Sequence, residues 1–294
     1  MSDTEQSSQE RAVDHDRQES DIETGTDDLL GRRVGHVAVL TFNRPERRNA
    51  LSSDVYRGFA NALPMIAADQ DVRVLMLTGA GGAFCAGGDV KAMNERNKAA
   101  ADGGSAPSAE ARTADLRRRQ RQVSLALQQL PQPVVAALPG AAAGAGFSIA
   151  LAADIRLAAE RAVLVTAFSG VGGSGDFGGS WFLPRLVGAA KAKELYFLSP
   201  RLTAAEAQSL GIVNQVLADD GFDEAALEYC HRLAARAPIA LRYMKENINR
   251  AEAVGLADAL DAEAAAMTRT MSSEDHREAA AAFVEKRQAL FTGR

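Results

Sequence analysis

The sequence predicts an α/β protein, with a layered core of buried strands and covering helices followed by a part that is mostly helical. Three observations carry that expectation. Short runs rich in branched residues alternate with segments of helical period before Ala189. From Ala189 onward helical patterns dominate, and alternation followed by helices argues for a layered core with a helical end. The 294 residues are 47% hydrophobic and 24% charged, an ordinary globular composition that allows one large domain or two small ones.

In chain order, residues 1–28 hold ten acids against two arginines and almost no large apolar side chain. Nothing there offsets the entropy of ordering, so an acidic disordered tail over residues 1–31 is expected. The runs "HVAVLTF" (36–42), "VRVLMLT" (72–78) and "PVVAAL" (133–138) read as buried strands. Between the first two, Val55, Phe59, Ala62, Leu63 and Ile66 share one face of a 3.6-residue period. The stretch 97–114, small and polar with Gly and Pro, reads as a long mobile loop, and "LRRRQRQ" (116–122) as an exposed helix face. In "TAAEAQSLG" (203–211), Thr203 and Glu206 spell a capping box and Gly211 a helix stop. There is no internal repeat.

Several function classes fall away. A net charge of −5 argues against non-specific nucleic-acid binding, which needs a broad basic field. Cys85 and Cys230 are far apart and the four histidines are scattered, so neither a disulfide framework nor a metal site is expected. No apolar run reaches the roughly 18 residues of a membrane span, and the acidic N-terminus is no secretory signal. A reduced, cytoplasmic setting is expected.

The chemistry concentrates in three glycine-rich segments, 77–93, 137–158 and 170–188. None spells a phosphate loop, "GAGFSI" breaks the dinucleotide fingerprint, and "GFSIA" lacks the closing glycine of a hydrolase elbow. Such loops present backbone N–H groups, and two donors from separate loops can hold a developing oxyanion, each lowering a barrier by roughly 3–4 kcal/mol. Gly87, Gly88, Ala143, Gly144, Ala145 and Gly146 are small enough for a substrate carbonyl to approach. The competing reading is tight strand–helix packing. In the third segment Asp176 is the one acid between Arg161 and Arg185, and it reads either as a helix N-cap or as a proton-moving group. Asp89 reads as a helix cap, Asp154 as a turn brace and Cys85 as packing.

The motifs "NRPERRNAL" (43–51), "AFCAGGDVKAM" (83–93), "PGAAAGAGFSIALAADIRLA" (139–158), "LPRLVG" (183–188) and "SSEDHREAAAAFVEKRQALF" (272–291), in that order, resemble the crotonase superfamily, the enoyl-CoA hydratase and isomerase family. The resemblance covers roughly residues 32–292. It implies a β-β-α spiral core over 32–200 that binds acyl-CoA, and a helical part over 201–294 that assembles trimers or paired trimers. It places the two oxyanion donors at Gly88 and Ala145. It makes Arg47, Ala86, Lys91, Phe283 and Lys286 candidates for contacts with CoA.

The departures from the family pattern are informative. At the positions of the two glutamates that hold water in the hydratases stand Ser148 and Phe168. Asp176 instead matches the acid used by other branches, and the segment around it resembles phenylacetate-type enoyl-CoA isomerases. The resulting expectation is isomerisation of a double bond or strained ring through a thioester enolate. Asp176 moves the proton, Phe168, Phe177 and Trp181 form an apolar pocket with Ser148, and neither metal nor redox cofactor is needed. The alternatives are an enoyl-CoA hydratase with a non-standard acid and a catalytically silent acyl-CoA binder.

Overall fold

The computed structural model describes residues 19–89 and 107–294, with Lys91, Asn94, Glu95 and Lys98 between them. Its centre is a seven-stranded sheet in the order β1-β2-β3-β4-β5-β7-β10. Strands β1 (Glu19–Asp21), β2 (Leu29–Val34) and β3 (Val37–Phe42) are antiparallel neighbours. From β3 onward, β4 (Val74–Gly79), β5 (Val134–Leu138), β7 (Ile155–Ala159) and β10 (Gln215–Leu217) all pair in parallel.

Parallel strands need crossover connections, and helix Ser53–Ala68 supplies the one between β3 and β4. Ser52 starts it by accepting a hydrogen bond from Val55 N (3.1 Å). The three apolar runs are continuous because both sheet faces are covered. On β3, Ala38, Leu40 and Phe42 join the cluster containing Val55, Phe59 and Ile66. Val37 and Val39 join the opposite one with Phe222, Ala226 and Cys230 of helix Phe222–Ala234. Alternate residues thus serve two cores.

A second, three-stranded sheet of β6 (Ala142–Ala143), β8 (Val163–Val165) and β9 (Leu202–Thr203) stands beside the first. The Thr203–Glu206 capping box forms, and Gly211 takes a left-handed φ of +74° just past helix Ala204–Ser209. Helix Pro238–Ala251 is tied to the core by Lys245. Its Nζ pairs with Asp154 (2.8 Å) and donates to the carbonyls of Leu127 (3.3 Å) and Gln132 (3.1 Å). Helices Leu256–Met271 and Glu274–Glu285 complete the chain and leave Met267, Phe283 and Val284 exposed.

Three expectations are corrected. Residues 19–21 and 29–31 belong to strands of the sheet, joined by the loop 22–28, rather than to a disordered tail, because an edge strand needs little apolar surface when the next strand buries Leu29 and Val34; residues 1–18 lie outside the described residues. The segment 97–114 is helical from Ala109, capped by Ser108, while all but Lys98 of residues 97–106 lies outside the described residues. The basic stretch 116–122 is only partly an outer face, since Arg119 and Gln120 turn inward onto Tyr56 and Phe177.

Candidate active site

The first two glycine segments form a seam. Phe84 N and Cys85 N donate to Ala141 O (3.0 and 3.2 Å), and Ala143 N donates back to Cys85 O (2.9 Å). The approach is so close that Cβ atoms have no room. One on Gly87, whose φ is +83°, would lie 2.5 Å from Ala143 O and 3.1 Å from Ala145 N; one on Gly146 would lie 2.3 Å from Cys85 O. The packing reading of these glycines is therefore right for Gly87 and Gly146. The "NRPERRNAL" segment adds a third layer, with Ala86 N donating to Arg48 O (2.9 Å), Leu51 N to Gly87 O (2.8 Å) and a bridge from Leu51 to Gly88.

Gly88, half-buried, sits at the open end of this seam, and Ala145 opens helix Ala145–Leu151. The first amides of a helix have no partner within it, and Gly144, the N-cap, supplies no side chain. Asp89 pairs with Arg44 (3.5 Å); the helix it was expected to cap lies largely outside the described residues. Cys85 is buried, and burial pushes its thiol up to about 12, which suits a packing role.

The third segment carries the acid. Asp176 lies between Gly175 (φ +106°) and Phe177, a bulky side chain held at φ +49°. Such a backbone persists only where its surroundings impose it. Here Phe177 N donates to Gln120 Oε1 (3.0 Å), and the buried Phe177 ring stacks on Tyr56 (centroids 5.8 Å, interplanar angle 6°). The N-cap reading of Asp176 fails. Gly178 is the N-cap of helix Gly179–Val187, and it is the main-chain carbonyl of Asp176, not its carboxylate, that accepts from Gly179 N (3.2 Å). Oδ1 of Asp176 is shut from solvent and has no hydrogen-bond partner among the described residues. Burial pushes this carboxyl up to about 6, where it can exchange a proton near neutral pH.

Two phenols face it. Tyr56 is pushed up to about 12 by burial, with the Arg119 guanidinium 4.7 Å from its ring centroid and opposing the shift. Tyr196 is likewise raised to about 12 by burial, with a hydrogen bond to Ser148 working against it; the Asp176 charge raises both phenols further. Ser148 is buried, and its hydroxyl donates to Gly144 O (3.3 Å). Phe168 stacks on Tyr196 (5.9 Å, 12°), near Gly144. The fold thus brings Ser148, Phe168, Asp176 and Phe177 together beside the helix that Ala145 opens.

A match to the description "Enoyl-CoA hydratase/isomerase" spans residues 32–294. The chain belongs to the enoyl-CoA hydratase/isomerase family. A 1,2-epoxyphenylacetyl-CoA isomerase of Escherichia coli is 39% identical over 88% of this chain and 95% of its own. A short-chain-enoyl-CoA hydratase of Clostridium acetobutylicum is 35% identical over 88% and 95%. Among solved structures, an enoyl-CoA hydratase from Polaromonas sp. JS666 superposes with a TM-score of 0.83 at 34% identity, covering 90% of this chain and 99% of that one. The mixed α/β fold with a helical C-terminal region is that of these enoyl-CoA hydratase structures.

As an enoyl-CoA hydratase/isomerase family member, the chain places its remaining candidates unevenly. Arg47, on the turn Pro45–Arg47, and Lys91 are exposed, and Ala86 is half-buried beside the seam. Trp181, 39% exposed, meets other partners. It packs edge-on against Phe182 (4.8 Å) under the Arg185 guanidinium (3.7 Å) and lines a cavity of about 280 Å³ with Ser124 and Phe177. Phe283 and Lys286 make no side-chain hydrogen bond, ion pair or ring contact among the described residues, and Phe283 is 85% exposed. Sequence reasoning missed Tyr56, Arg119, Gln120 and Tyr196. Only the two tyrosines carried a signal, since a phenol within an apolar run needs a polar partner.

Proposed function

We propose that this family member is an enoyl-CoA isomerase that works through a thioester enolate. The substrate carbonyl lies between the N–H groups of Gly88 and Ala145, which acidifies the adjacent carbon. Asp176 removes the proton and returns it elsewhere on the acyl group, moving a double bond or opening a strained ring. The observation that carries this reading is the Asp176 Oδ1, shut from solvent and unpartnered among the described residues, on a carboxyl raised to about 6. With Ser148 and Phe168 at the positions expected for the water-holding carboxylates, isomerisation is favoured over hydration. The name of the Escherichia coli relative, an acyl-CoA isomerase, supports the same choice.

This chemistry needs neither metal nor redox cofactor, because CoA arrives as part of the substrate. Arg47, Ala86 and Lys91 would line its path. Phe283 and Lys286 would also contact CoA, and in a trimer or pair of trimers the exposed apolar faces of the last two helices would be covered by further copies. A hydratase reading draws on one observation, the Tyr196–Ser148 pair, since two hydroxyls can hold a water.

The test is Asp176→Asn, assayed with 2-enoyl-, 3-enoyl- and 2,4-dienoyl-CoA esters and products read by mass spectrometry. Turnover is expected to fall by at least about a hundredfold, with CoA-ester binding within a few-fold of the parent. Undiminished turnover would overturn the assignment. Rapid hydration of crotonyl-CoA by the parent would favour the hydratase reading.

A further inference from the structure

Asp176 is bracketed by two glycines crowded by the same side chain. A Cβ on Gly175 would lie 2.9 Å from Cε1 of Tyr196, and one on Gly179 would lie 2.3 Å from its phenolic oxygen and 2.5 Å from the Ser148 hydroxyl oxygen. Gly175 needs to be glycine for its backbone alone, at φ +106°. Gly179 has no left-handed φ, so the reason for glycine there is space for the two hydroxyls. The ring has little freedom, because Phe168 stacks on it and the helix end beneath is fixed by Thr166, whose hydroxyl donates to Leu195 O (2.7 Å).

We propose that Tyr196 is a positioning residue: its ring wedges the loop carrying Asp176 into place, and its hydroxyl, meeting Ser148 over Gly179, ties that loop to the helix opened by Ala145. The inference rests on Asp176 being the proton-moving group. It explains why the acid and the amide loop hold one mutual geometry although they belong to separate segments. Displacement of about 1 Å is enough to slow a reaction a hundredfold.

The groups facing the carboxylate are Tyr196 from helix Ala189–Leu198 and Tyr56 from helix Ser53–Ala68, the latter next to Arg119 and Cys85. Tyr196 stays neutral across the working range, so it acts by shape and by keeping water from Asp176. Without the ring, water reaches the carboxylate and its pKa falls from about 6 toward the ordinary range.

The experiment compares Tyr196→Leu, Tyr196→Phe and Asp176→Asn with the parent. Turnover, CoA-ester binding and the Asp176 titration by carboxyl carbon NMR are measured, with Asp176→Asn identifying the signal. Tyr196→Leu is expected to lose at least about tenfold in turnover with binding within a few-fold. Its Asp176 midpoint should drop by about one unit or more. Tyr196→Phe, which keeps the ring but loses the tie to Ser148, should retain the midpoint and lose only a few-fold in turnover. An unmoved midpoint in Tyr196→Leu, whatever its turnover, overturns the inference. Full turnover in Asp176→Asn would sink the assignment of the acid instead.

If Tyr196→Leu does not fold, Gly179→Ala carries the test alone and paired with Tyr196→Phe. The new methyl should cripple turnover alone, and removal of the phenolic oxygen should restore part of it. Additive losses would overturn the inference.

Discussion

Phe177 and Asp176 are adjacent, and each is held in a state it would not choose alone: one in a left-handed backbone, the other as a half-buried carboxyl whose Oδ1 has no hydrogen-bond partner among the described residues. The second has a stability consequence whose sign follows from its shift. The folded chain binds the Asp176 proton more tightly than the unfolded one, with a pKa of about 6 against 3.8. The favourable contribution is therefore present below the unfolded value and is lost as pH rises through the folded one. At neutral pH the charged form is a burden of at most about 3 kcal/mol, reduced by the part of the residue that water reaches. Asp176→Asn is neutral at every pH. It is expected to melt above the parent at about pH 7.5, with the difference closing near pH 4. Calorimetric melts of both proteins across that range check this, and a pH-independent difference would show that the carboxyl is not desolvated. A gain in stability alongside a loss of turnover would mark a site where strain serves function.

Among the elements, the helical stretch that supports the acid loop is irregular. Helix Ala109–Gln120 runs into a π-turn, Arg121–Leu125, in which Ala126 N donates to Arg121 O five residues back. Turns of this kind are rare and often mark functional sites. Here the extra residue sets the angular offset between the inward Leu127 and the pair Arg119 and Gln120, which meet Tyr56 and Phe177 N. Deletion of Gln122 should convert the turn to regular helix and swing Gln120 away by about 100°. The expected result is retained helicity by circular dichroism with at least about tenfold lower turnover; unchanged turnover would mean that the offset is immaterial. This element also marks a limit of legibility. "LRRRQRQ" reads as an outer face because its composition is polar, and a one-residue insertion into helical period leaves no mark on composition. The pairing of Asp176 with Tyr56 and Tyr196 was hidden for a related reason: the three lie on separate elements that only the tertiary fold brings together. The seam of Gly87, Ala143 and Gly146 was legible, since glycine and alanine runs after strands imply close backbone approach.

For the molecule as a whole, the strands β3, β4 and β5 were visible in sequence because burial on both faces leaves an unbroken apolar run. Strand β1 was not, for at a sheet edge exposed polar residues suffice, and neither was β10, whose three residues are too short a run to read. The helical end was anticipated as a region, but not how it is fastened. That fastening, Lys245, makes the protein self-reporting. Its ammonium has three donors and three acceptors, and its side chain is only 9% exposed, so an acylating reagent in solution finds no free amine while helix Pro238–Ala251 is docked. Under brief treatment with an N-hydroxysuccinimide ester, Lys193, which is exposed, should label promptly and Lys245 last. The rate at Lys245, followed by peptide mass spectrometry, then becomes a clock for undocking, and prompt labelling there would mean that the latch stands open in solution.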